Sequence, residues 1–311
     1  MRGFGLCPSV TSPLPRSAAL FVNAKSRKGR QSFEEARRLI EAAGIELSIA
    51  RAIRKPSTMP ACVRQAVADG VAMVIIGGGD GSISCSVDHV VGSDTVFAVL
   101  PLGTANSFAR TLGIPLDLAG AVDVIAHGQA RRIDLGMIDQ DYFANCATLG
   151  IAPQIAKTVP HGLKAWLGRP GYLLWAAYKL ARFKAFRLTV DTGDAIETLD
   201  AVEVRIANGP YHGGVELVDE AAVDSGQIVV QVVIGETRWS LVWSWLLSAL
   251  RHRERRRTTR EFEGQAIRLS TPRPMPISID GEVLAKTPVT ARVARRAILV
   301  AAPTPSPRAG S

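Results

Sequence analysis

One stretch limits what this chain can fold into more than any other: Val71 to Ser84, VAMVIIGGGDGSIS. The apolar run Val71 to Ile76 reads as a short buried strand. Gly77, Gly78 and Gly79 follow, then Asp80, Gly81 and Ser82. A strand that enters a glycine loop and then a helix is how α/β proteins hold phosphate, because glycine lets backbone N–H groups come close to phosphate oxygens. Asp80 would repel a bare phosphate, so a divalent cation or a hydroxyl is expected between the two. A plainer reading stands beside this one: a tight strand-to-helix turn with Asp80 as the N-cap.

The sequence around this stretch alternates strand and helix. Ala18 to Asn23 is a short apolar run ending in a polar loop, Asn23 to Gly29. Ser32, with Glu35 three residues on, predicts a capping box opening a helix with Ala36, Leu39, Ile40 and Ala43 on one face, stopped by Gly44. Ile45 to Ile49 reads as a strand, Pro56 to Ala68 as a helix closed by Gly70, and Val96 to Leu100 as a further strand. Such alternation predicts a parallel sheet covered on both faces, with ligands outside the strand carboxyl ends. The loops 23–29, 77–84 and 101–107 all fall at such ends. In the last, Gly103 and Thr104 offer backbone and hydroxyl contacts to a nucleotide. Asn106 either fixes the loop or binds a ribose, and Thr104 or Asn106 as a helix N-cap is the plainer alternative.

From about Ile133 the texture changes to short alternating segments bounded by turn residues: Tyr142–Asn145, Arg187–Val190, Ala201–Ala207 and Gln227–Ile234. This predicts an antiparallel all-β domain, interrupted by helices at about Leu163–Phe183 and Arg238–Arg257. The fold class is therefore α/β plus all-β. With 47% hydrophobic and 21% charged residues, a disordered chain is excluded. The net charge of +9 suits anionic partners, whether nucleotide phosphates, nucleic acid or acidic lipid headgroups, with plain solubility charge as the alternative reading. Four cysteines without a CxxC pair argue against zinc and against a disulfide framework, and point to a cytoplasmic protein. Residues 1–16 read as a flexible leader without a signal peptide, and no run is long enough to span a bilayer.

The motifs taken together resemble the diacylglycerol kinase catalytic family, in particular the bacterial lipid kinases acting on diacylglycerol, phosphatidylglycerol or sphingosine. Four elements carry the resemblance over about residues 18–303: Asn23 to Gly29, where the family usually has Asn-Pro-x-Ser-Gly and Ala24 and Arg27 here replace the Pro and Gly; Gly78-Gly79-Asp80-Gly81-Ser82, where Ser82 keeps the hydroxyl of the family's usual Thr; the loop Pro101 to Arg110; and Ile279-Asp280-Gly281-Glu282. The resemblance implies a Rossmann-like, NAD kinase-like nucleotide domain at 17–133, completed by about 291–303, and a lipid-contacting β-sandwich at 134–290, with residues 304–311 a flexible tail. It implies catalysis in the cleft between the two, so that Asp80 and Glu282 face each other there. It implies ATP and Mg²⁺, with nucleotide contacts from Asn23, Lys25, Ser26, Gly78, Gly79, Asp80, Gly81, Ser82, Gly103, Thr104 and Asn106. Glu282 would be the general base on a lipid hydroxyl, with Asp280 and Asp80 in the catalytic set. Asp80 and Asp134 would support the metal, and Asp224 would hold a structural Mg²⁺. The residue-level alternatives are a hairpin turn at Asp280-Gly281, a strand-end turn at Asp134 and a surface turn at Asp224.

Two departures from the family pattern bear on activity. Ser107 stands where the family often has Asp, and Ser225 where some relatives carry the second Asp of a metal loop. The Trp-rich run Leu241–Leu250, followed by the basic Arg251–Arg257, fits an interfacial helix, and Trp166–Tyr178 is a second candidate; packing of both in the core is the competing reading. A lipid substrate at a membrane surface is the expected partner, with peripheral membrane contact. No nucleic-acid partner is expected, and a homodimer is left open. The rival functions are a kinase of NAD or a sugar phosphate on the same fold, and a nucleotide- or lipid-binding module without turnover.

Overall fold

The computed structural model describes residues 12–25, 27–150, 185–234 and 259–304. The predicted helices at 163–183 and 238–257, both Trp-bearing segments and Ser26 lie outside these residues, as does most of the predicted leader and tail. The chain divides into two units, Met1–Asp134 with Arg295–Ser311, and Leu135–Ala294. It passes between them twice, within strand β6 (Gln129–Ile138) and within the last strand, β18 (Val289–Ala302).

The first unit is a parallel sheet built by β2 (Ser17–Asn23), β3 (Glu46–Ile53), β4 (Met73–Gly78), β5 (Val96–Pro101) and the end of β18, in the order β3-β2-β4-β5-β18. Strands β4 and β5 are buried at every residue. That explains their unbroken Val/Ile-rich sequence, since a central parallel strand meets apolar neighbours on both faces. The helices are α1 (Arg27–Ala42), α2 (Met59–Ala68), α3 (Asp80–Val87), α4 (Ser107–Thr111) and α5 (Leu118–His127). A two-residue strand β1 (Ser12–Pro13) pairs with β6.

Helix α1 starts five residues before the predicted capping box, so Ser32 and Glu35 lie inside it. Its first turn holds Arg27, Lys28 and Arg30 and no acid, which opposes the helix dipole and hides the start from sequence rules. Gly29 allows the early turn: a Cβ there would sit 2.7 Å from the Asn23 carbonyl oxygen. The predicted stop at Gly44 stands, with φ +76° and its amide donating to Glu41 O.

The second unit is antiparallel: β7 (Asp141–Phe143), β8 (Cys146–Gly150), β9 (Phe186–Asp191), β10 (Ile196–Ala207), β11 (Tyr211–His212), β12 (Val215–Glu216), β13 (Ile228–Ile234), β14 (Thr259–Gly264), β15 (Ala266–Ser270), β16 (Pro276–Ile279) and β17 (Glu282–Lys286). Strand β10 serves two layers. Its first half pairs with β9, and after an irregularity between Ala201 and Glu203 its second half runs between β8 and β13. One layer is β17-β16-β8-β10-β13-β14, the other β10-β9-β15-β18. Leu149, Val204, Ile206, Val230 and Ile277 of the first pack with Leu188, Val190, Ile267 and Leu269 of the second in one buried cluster. This is a β-sandwich core, each such side chain contributing about 1.5–3 kcal/mol by leaving water.

Candidate active site

In the first unit the strand order reverses at β2: β3 lies to one side and β4 to the other. The carboxyl ends of β2 and β4 therefore flank the switch point, where open α/β sheets bind ligands. A cavity of about 330 Å³ lies there, lined by Asn23, Pro56, Met59, Gly79, Gly81, Ser82 and Cys85. Asn23, the last residue of β2, donates from Nδ2 to Ser82 Oγ across 3.2 Å, and its Oδ1 accepts from the Lys25 amide at 3.3 Å. Lys25 itself is exposed.

The glycine run is shorter as a loop than its sequence predicts. Gly77 and Gly78 finish β4, and α3 starts at Asp80, so only Gly79 connects them. The N-cap is Gly79, with φ −95° and ψ −174°, which corrects the N-cap reading of Asp80. The reason is geometric. Asp80 has already entered the helix, and its Oδ1 accepts from the Phe108 amide at 3.2 Å instead of from its own helix. Ser82 is the first residue of α3 to donate back, to Gly79 O at 2.8 Å, so the amides of Asp80 and Gly81 come ahead of the helical ladder.

The glycines differ in purpose. A Cβ on Gly78 would meet Ser82 Oγ at 2.5 Å, and one on Gly103 would collide with the Gly79 backbone, so the loops after β4 and β5 touch through bare backbone. A Cβ on Gly81 would meet nothing within 4 Å. Gly81 thus faces open space beside the cavity. Asn106, at φ +50°, is buried and turned back on its loop: Oδ1 accepts from the Gly103 amide at 2.9 Å, and Nδ2 donates to Pro101 O and Gly103 O. Of its two expected roles, fixing the loop is the one observed. Gly103 and Thr104 are exposed at its tip. Ser107 is buried as the first residue of α4.

Asp134 is buried, and its Oδ1 accepts from the Arg296 amide at 2.7 Å, where β18 re-enters the first unit at φ +51°. Asp224 is exposed on a turn that Ser225 closes, through its amide to Ala222 O and its hydroxyl beside Ala222 O and Gln227 O. Among the described residues no three His, Cys, Asp or Glu side chains gather to hold an ion by themselves. Asp80, Asp134 and Asp224 therefore form no such group.

In the second unit Glu282 opens β17, directly after a two-residue hairpin. Asp280 at φ +44° and Gly281 at φ +101° give both central positions the positive φ of a type I′ turn. The hairpin reading and the motif reading of this dipeptide therefore hold together. The Asp280 carboxylate is occupied: Oδ2 accepts from the Ala144 amide at 3.0 Å, and Oδ1 from the amides of Asn145 and Cys146 at 3.3 and 3.1 Å. Glu282, Leu284 and Lys286 are exposed and alternate along one face of β17, while Ala285 is buried. Beside this hairpin, burial holds the Cys146 thiol far above its usual range, so it stays protonated.

Sequence reasoning passed over Cys85, Pro56 and Met59 as cavity residues: Cys85 lies on α3, Met59 starts α2, and Pro56 is in the short turn just before it. It also passed over Asn208, whose place at the end of β10 carries no motif.

Comparison with known proteins identifies the family. Residues 17–138 match the family model described as the diacylglycerol kinase catalytic domain, and residues 145–302 the model described as the YegS C-terminal NAD kinase beta sandwich-like domain. The chain belongs to the diacylglycerol kinase catalytic family, a class of lipid kinases. Within it, the chain is 30% identical to a protein from Klebsiella pneumoniae named probable lipid kinase YegS-like, over 86% of this chain and 90% of the relative. A protein of the same name from Serratia proteamaculans is 31% identical, over 71% and 73%. The fold is that of a solved Bacillus anthracis structure titled a putative diacylglycerol kinase, with a TM-score of 0.77 at 20% identity, covering 92% of this chain and 97% of that one. No helix among the described residues is long and apolar enough to cross a membrane.

Proposed function

We propose that this protein transfers the γ-phosphoryl group of ATP to a lipid hydroxyl, with Glu282 as general base. The observation that carries the reading is the cavity at the switch point, walled by Asn23, Gly79, Gly81 and Ser82. It joins a helix N-terminus, backbone without side chains and an open flank at Gly81, the features that receive a polyphosphate. Asp80 beside that anion site fits a Mg²⁺ held jointly by one carboxylate and the nucleotide's own phosphates, the usual coordination of this ion. When bound, the ion neutralises charge on the transferring phosphoryl group. The amides at the start of α3 orient the phosphates, and the Asn23–Ser82 bond ties the end of β2 to the first turn of α3 beside them.

In the transfer, Glu282 accepts the proton of the lipid hydroxyl, that oxygen bonds to the γ-phosphorus, and the bond from this phosphorus to the β–γ bridging oxygen breaks, leaving ADP. Leu284, 53% exposed and two residues along the same strand face from Glu282, supports an acceptor with an apolar portion over NAD or a sugar phosphate. The formal charge of +9 favours work at an anionic membrane surface. The test is labelling from γ-labelled ATP with a panel of diacylglycerol, monoacylglycerol, phosphatidylglycerol and sphingoid bases on vesicles with and without anionic lipid, together with NAD and fructose 6-phosphate. The expected result is Mg²⁺-dependent label in one lipid class, stronger on anionic vesicles. Label in NAD or the sugar phosphate contradicts the acceptor, and nucleotide binding with no label in any of them leaves a binding module.

A further inference from the structure

Asn208 is fully buried at the end of β10, next to Gly209 and Pro210, and forms part of none of the motifs above. Its side-chain Nδ2 donates to Ala144 O at 3.1 Å. Its backbone amide donates to Asn145 O at 3.0 Å, as does that of Gly209 at 3.4 Å. The other edges of these two peptide groups point at Asp280: the amides of Asn145 and Cys146, joined by that of Ala144, donate to its carboxylate, and the Asp280 amide donates to Cys146 O at 3.2 Å. The segment Ala144–Cys146 is thus held from both sides: the carbonyls of Ala144 and Asn145 by Asn208 and Gly209, and its three amides by the Asp280 carboxylate.

Ala144 and Asn145 form the bend between β7 and β8, which turns three successive amides towards one carboxylate. Bonds to the Ala144 and Asn145 carbonyls on the far side hold the peptide planes of this small anion nest. The anion it takes is the carboxylate of Asp280, two residues before Glu282 and on the hairpin that carries it. We propose that Asn208 is a positioning residue for Glu282, acting through the Ala144–Cys146 peptides and the Asp280 carboxylate. The proposal rests on the reading of Glu282 as the base.

The first test is the kinetic cycle of Asn208→Ala and Glu282→Gln on the full-length protein with the labelled lipid. Asn208→Ala is expected to lower kcat about 10- to 100-fold, the loss that a base displaced by about an ångström produces, with KM for ATP within about twofold of wild type. In the Glu282→Gln background it is expected to cost nothing further, because the residue it positions is gone. Equal losses in both backgrounds would overturn the proposal, since a merely structural role acts alike in each. If Asn208→Ala does not fold, Asp280→Asn carries the same cycle. Asn-Gly keeps the type I′ turn, while the exchanged amide loses the charge and one of the two acceptor oxygens; wild-type kcat in that variant also overturns the proposal. Hydrogen exchange gives a readout independent of turnover: amides at 279–283 exchange faster in Asn208→Ala if the clamp reaches the hairpin, and unchanged exchange there overturns it. Wild-type turnover in Glu282→Gln would sink the base assignment and the catalytic meaning of the clamp together, while the exchange data would still report whether Asn208 holds the hairpin.

Discussion

The carboxylate of Asp80 accepts a hydrogen bond from the backbone amide of Phe108, 3.2 Å away, and so ties the first residue of α3 to the first turn of α4. One oxygen of this side chain thereby registers the loops after β4 and β5. The same carboxylate is the group proposed to hold the metal. Asp80→Asn retains an acceptor for Phe108 and loses the charge. It is expected to melt within about 1 kcal/mol of wild type and to lose at least ~100-fold in kcat, measured as Mg²⁺-dependent lipid labelling. A variant that unfolds would instead give Asp80 a structural role.

Gly81 and Gly103 separate a ligand-facing glycine from a packing glycine. Space is open around a Cβ at Gly81, and a helical position favours Ala over Gly by about 1 kcal/mol. Gly81→Ala should therefore be as stable as wild type or more so, yet raise KM for ATP. Gly103→Ala drives a methyl into the backbone of Gly79 and should cost about 1–3 kcal/mol in denaturant unfolding.

Three described thiols give a chemical map of the nucleotide site. Cys85 lines the cavity and is half-buried, Cys62 is half-buried on α2 outside the cavity lining, and Cys146 is buried. Under N-ethylmaleimide, read by peptide mass spectrometry, ATP with Mg²⁺ is expected to slow modification of Cys85 several-fold and leave Cys62 unaffected. Cys146, held protonated by burial, should not react in the folded protein. Nucleotide that protects Cys62 and leaves Cys85 open would move the site elsewhere.

His89 predicts an acid limb of stability. Burial, and then the nearby Arg64, lower its pKa below the ordinary value near 6.5. Between the two values the unfolded chain binds a proton that the folded one does not. Stability from this group is therefore undiminished above about pH 6.5 and declines as pH falls towards the lowered folded pKa, where it levels off. Denaturant melts from pH 7.5 to 5 should show a smaller decline for His89→Gln than for wild type.

The parts of this molecule that follow local rules were readable in the sequence. Val74 to Ile76 and Val96 to Leu100 are continuous apolar runs because both faces of a central parallel strand are covered. The glycines at 44 and 70 end helices at positive φ. What was hidden depends on contacts distant in sequence. The start of α1 is marked by basic residues that oppose the helix dipole, while Ser32 and Glu35 supply a false start. Asp80 resembles an N-cap until Phe108, 28 residues on, takes its oxygen. The clamp on Ala144–Cys146 joins residues 64 and up to 136 positions apart, a separation at which pattern carries no information.

The most direct measurement is the turnover of Glu282→Gln on the labelled lipid, with ATP affinity followed in parallel. Removing a positioned base should lower kcat by about 10²- to 10⁴-fold, with KM for ATP within about twofold and melting unchanged, since Glu282 is exposed on a hairpin that Asp280 holds. Phosphorylated lipid accumulating at the wild-type rate in that variant would contradict the account.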